Sequence, residues 1–180
     1  MKRRDLLRTV GAATALSFLP GQADQAWARL LTGYRPANGL SSAQLSLVSV
    51  MADAIIPRTD TPGATDVGVP DWVDLIVAEY YNDAERSEFL SGLEAIETRV
   101  RNARGVTFAE LQPDARADIM VLLDRPADRQ APDARAYARL KQLVVHGYFT
   151  SERVQKEVLK TEIMPGRFDG NAAMPARRTS

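Results

Sequence analysis

The sequence predicts an all-α protein, a single irregular bundle of about five helices that follows an N-terminal signal segment. Apolar residues recur every three or four positions in separate stretches, helix start and stop signals flank those stretches, and runs of alternating polarity are few. The expected boundaries are residues 1–28 for the signal, 29–40 for a linker, 41–161 for the helical domain and 162–180 for an irregular tail.

The signal reads RRDLLRTVGAATALSFLP from Arg3. Lys2, Arg3, Arg4 and Arg8 form a basic start, residues 9–19 an apolar run, and Ala26 and Ala28 fit an A-x-A pattern that places cleavage after Ala28. As a helix the apolar run would span about 16 Å against a hydrocarbon core of about 30 Å, so it makes a poor permanent anchor. Arg3 and Arg4, with Leu6 and Leu7 close behind, mark the twin-arginine type of export signal, and the periplasm is the expected destination. An ordinary signal whose basic start happens to hold two arginines is the alternative.

The domain's elements follow in order. Ser41 and Gln44 have capping-box spacing, and Leu45, Val48, Ala52 and Ile55 share one helical face before Pro57. Residues 57–70, PRTDTPGATDVGVP, hold too many breakers for regular structure and form a loop long enough to suggest a function. A short helix resumes at Asp71 with Trp72, Leu75, Ile76, Glu79 and Tyr80. A longer one carries Phe89, Leu93, Ile96 and Val100 and stops at Gly105. The next starts at Pro113 and buries Ala115, Ile119, Leu122 and Leu123, and the last, from Asp133, aligns Tyr137, Leu140, Val144 and Tyr148.

Composition limits the chemistry. The chain balances 23 basic against 23 acidic residues; without the four basic and two acidic residues of the signal it carries 19 against 21, which argues against a nucleic-acid partner. Cysteine is absent, so no disulfide, iron–sulfur cluster or thiol nucleophile can form. There is no G-x-G and no P-loop. The one histidine, His146, reads as a packed or partner-facing residue, with acid–base work in an independent small enzyme or a ligand-binding module as the alternative. Asp53, Asp60, Asp66, Asp71 and Asp74 gather around the long loop; capping and turn formation account for them better than a metal does. No catalytic, cofactor-binding or metal-binding residue is assigned. Trp72 suits a core or an interface equally, whereas Phe149 and Phe168 leave the helical stripes and read as anchors for a partner.

Residues 53–81 (DAIIPRTDTPGATDVGVPDWVDLIVAEYY), residues 140–152 (LKQLVVHGYFTSE) and PGRFDG from Pro165 resemble the gluconate 2-dehydrogenase subunit 3 family. The resemblance implies a non-catalytic small subunit beside a large FAD-carrying flavoprotein of the glucose-methanol-choline type. A multihaem cytochrome c joins some such periplasmic sugar or polyol dehydrogenases. FAD and the catalytic groups then belong to the large subunit, and this chain's own signal, read by the twin-arginine translocase, escorts the folded pair. Pro57, Asp60, Trp72, Tyr148, Phe149, Arg167 and Phe168, all within the quoted blocks, become candidate partner contacts.

Overall fold

The computed structural model describes residues 20–161, which form six α-helices with no strand among them. The export-signal residues Arg3, Arg4, Leu6 and Leu7, the candidates Arg167 and Phe168, and the expected tail lie outside the described residues. The helices are α1 (Pro20–Leu31), α2 (Ser42–Ile55), α3 (Val69–Glu79), α4 (Asp83–Arg104), α5 (Pro113–Asp124) and α6 (Pro132–Thr150). Short 3-10 turns precede α3 (Thr65–Val67) and α5 (Phe108–Glu110), and a π-helical turn (Val154–Leu159) follows α6.

Local chemistry sets most of the boundaries. Both halves of the capping box form at α2, with Ser41 and Gln44 exchanging side-chain and backbone bonds, and Asn82 and Glu85 repeat the device at α4. Gly105, at φ 75°, ends α4 where the sequence expects it. Helix α3 starts at Val69, two residues before the expected Asp71, because Pro70 is accommodated in its first turn, where a missing N–H leaves no bond unmade.

Helix α6 is the hub. It packs most extensively along α4 and also touches α1, α2, α3, α5 and the π-helical turn. Its stripe of Tyr137, Leu140, Val144 and Tyr148 is buried as expected, and so is the α4 stripe of Phe89, Leu93, Ile96 and Val100. The two helices meet at small residues: a Cβ on Gly92 would lie 2.3 Å from the Ala136 Cβ, so no larger residue fits without moving a backbone. Helix α3 is enclosed on all sides, and every residue from 72 to 77 is buried.

Two faces turn differently from the sequence expectation. Helix α5 buries Ile119, Met120 and Leu123 but leaves Leu122 57% exposed, and α2 buries Leu47, Val48, Met51 and Ala52 while Leu45 and Ile55 sit at the margin. In both helices one apolar position too many is present for a single stripe, so the packing of neighbours selects the face.

The segment between α1 and α2 is strapped down by polar contacts. The Tyr34 hydroxyl donates to Glu79 (2.6 Å), Arg35 pairs with Asp71, Asp74 accepts the Leu40 N–H, and Arg86 donates to the Asn38 carbonyl.

Candidate functional site

The long loop is closed on itself by the carboxylates the sequence singles out. Asp53, in the last turn of α2, accepts from the Thr65 N–H (3.1 Å) and the Thr65 hydroxyl (2.8 Å). Asp66 accepts the Gly63 N–H (2.9 Å) and pairs with Arg58, and the Ala64 N–H returns to the Ile56 carbonyl. Asp71 and Asp74 hold the strap instead, through an ion pair and a long-range N–H bond, so the turn role expected from the sequence is taken by Asp66 while Asp71 serves a tertiary contact. Among the described residues no three His, Cys, Asp or Glu side chains are grouped so as to hold a metal.

Tyr148 bolts this loop to α6: its hydroxyl donates to the Pro62 carbonyl (2.8 Å), and Arg153 beyond the helix reaches the Asp66 carbonyl. The loop's outer run, Pro57, Arg58, Thr59 and Asp60, is left exposed on a fixed backbone. Phe149 lies edge-on to Tyr148 (5.4 Å) and is 45% exposed.

The candidate contacts therefore separate by depth. Pro57, Asp60 and Phe149 are on the surface. Trp72 and Tyr148, at 0% and 4% exposure, are core side chains and lie beyond a partner's reach. The cause for Trp72 is Gly147, whose missing side chain leaves the gap the indole fills; a Cβ there would come within 2.8 Å of the ring. That pairing joins residues far apart in the chain, and no local signal announces it.

His146 is half-buried beside Trp72 (5.7 Å between rings), and burial holds its pKa below the ordinary value, so it is neutral at neutral pH. With Val145 it lines a half-open groove between α5 and α6. Of the charged groups lining that groove, Arg129, Lys141 and Asp124, the last two pair with each other, and burial, reinforced by Asp124, raises the Tyr137 pKa strongly. Sequence reasoning missed the outward stripe of Ala138, Gln142, Val145 and Phe149, although its spacing of four, three and four is visible once the inner stripe is removed.

An all-α domain that spends its loop carboxylates on its own backbone, and offers a rigid loop and one partly apolar helix face to solvent, has the build of a small helical subunit. The family model for gluconate 2-dehydrogenase subunit 3 matches residues 42–166, well over half of the chain, and the chain belongs to that family. The family is that of a subunit of the gluconate 2-dehydrogenase complex, consistent with an accessory role in a multisubunit dehydrogenase. No curated protein and no solved structure gives a match.

Proposed function

We propose that this chain is the non-catalytic small subunit of a periplasmic, FAD-dependent sugar or gluconate dehydrogenase, and that it escorts and stabilises the large flavoprotein. Family membership over residues 42–166 is the observation that carries the reading. The pattern of Arg3, Arg4, Leu6 and Leu7 supports the export half of it, because the twin-arginine route suits a passenger that folds around its cofactor before crossing. FAD and the reacting groups would sit in the large subunit.

Pro57, Asp60 and Phe149 are exposed and suit docking: the loop and helix that carry them are held together by the Asp53, Asp66 and Tyr148 hydrogen bonds before binding, so little ordering entropy is lost on association. Once bound, the small subunit stabilises the folded large subunit by mass action, by about 2.7 kcal/mol when present at a hundredfold excess over Kd. Replacing Arg3 and Arg4 with Lys in the native host tests the escort role. The flavoprotein should then accumulate in the cytoplasm; normal periplasmic amounts of it would refute the role.

A further inference from the structure

Helix α1 occupies the ground where the signal was expected to end. The pattern that places cleavage after Ala28 needs Ala26 and Ala28 in a peptidase cleft, and peptidases take their substrates opened out of regular structure. Here both alanines lie within one helix, Pro20–Leu31, that is built into the domain.

Ala26 has no exposed surface. The Trp27 ring stacks on Trp72 at 6.2 Å and 24°, and its Nε1 donates to the Thr150 hydroxyl at 3.1 Å, so this one side chain ties α1 to both α3 and α6. Just past the expected cut, Arg29 pairs with Glu79 at 3.3 Å and lies over the Tyr34 ring, and the Tyr34 hydroxyl bonds to the other Glu79 oxygen. A cut after Ala28 would strip Ala26 and Trp27 from the core and leave a face of the fully buried Trp72 to water.

We propose that the chain is not cut after Ala28 and that Trp27 is a permanent part of the mature domain. Ala28 itself is exposed, but the A-x-A pattern is held helical by the buried Ala26 and the anchored Trp27, and a chain that leaves the cytoplasm folded presents this segment already wound and anchored. Gly21 and Ala23 repeat the small-x-small spacing in the first turn of the same helix, where a helix end frays most readily, and a cut after Ala23 leaves the Trp27 contacts whole. The inference rests on the reading of the N-terminal segment as an export signal, and two measurements separate its failure from the failure of that reading.

The first is the N-terminal sequence and intact mass of the protein recovered from the periplasm of its host. A chain that begins at Asp24 or earlier supports the proposal; one that begins at Arg29 overturns it. The second needs no export: limited trypsin digestion of the purified full chain in native buffer and in urea. The bond after Arg29 should survive in native buffer and be cut in urea, and Trp27→Ala should speed the native cut roughly tenfold or more by opening the helix. Rapid cutting after Arg29 in the native wild type, or a rate unchanged by Trp27→Ala, would overturn the packed helix even if the protein never leaves the cytoplasm.

Discussion

Helix α6 shows two opposed surfaces built from one stretch of sequence. Its inner face carries Leu140 and Val144, both without exposed surface, and Gly147, against which Trp72 rests. Its outer face carries Val145 at 39% and Phe149 at 45% exposure. The inner face tolerates almost no change of volume, since its neighbours are fixed helices. The outer face is free of that demand, so the identity of its residues bears on what the protein meets and hardly at all on whether it folds.

The sharpest way to break this contrast is at Trp72. Trp72→Ala removes the side chain that α1, α3 and α6 share and should cost about 3–5 kcal/mol in urea denaturation. A loss under about 1 kcal/mol would mean that the inner seam is not what holds the bundle. Asp53→Ala is the intermediate case. It leaves the Thr65 N–H and hydroxyl without their acceptor at a partly exposed site, and should cost about 1–2 kcal/mol, with faster proteolysis confined to the loop.

A smaller effect, set by pH, sharpens the boundary between the two faces at His146. Its folded pKa lies below the unfolded value of 6.5, so the unfolded chain binds the proton more readily. Its contribution to stability is therefore complete above pH 6.5 and is lost as pH falls through the folded value. As the one histidine, it makes the test clean: His146→Gln should flatten the stability profile below pH 7, measured as the urea midpoint at successive pH values. An identical profile in the variant would place the titration elsewhere.

The smallest stability change belongs to the outer face. Phe149→Ala should stay within about 0.5 kcal/mol of wild type and yet weaken retention of the flavoprotein subunit about tenfold or more in co-purification. A variant that binds normally would remove Phe149 from the interface.

The same contrast explains how much the sequence disclosed. Helices α2 to α6 were legible because each announces itself locally, through a capping box, a proline in the first turn, or apolar residues at three- and four-residue spacing. The buried stripes of α4 and α6 were legible for the same reason. The depth of Trp72 and Tyr148 was not, because it depends on Gly147 and on the Pro62 carbonyl, partners that meet only after folding. Helix α1 was hidden by a stronger local pattern: the small residues that suggest a cleavage site also suit a helix, in which Ala26 lies against the core and Ala28 faces solvent. Of the candidate site, the exposure of the loop run and of Phe149 could be read in advance, whereas the stripe of Gln142 and Val145 shows in the sequence only after the inner stripe of α6 has been assigned.

Gentle isolation of this chain from its native host, followed by the visible spectrum and subunit composition of what accompanies it, tests the central claim most directly. The account predicts a complex with a large subunit that shows flavin absorbance near 1:1 with this chain. Recovery of the chain as a stable, colourless monomer under conditions that preserve other complexes of the same host would contradict it.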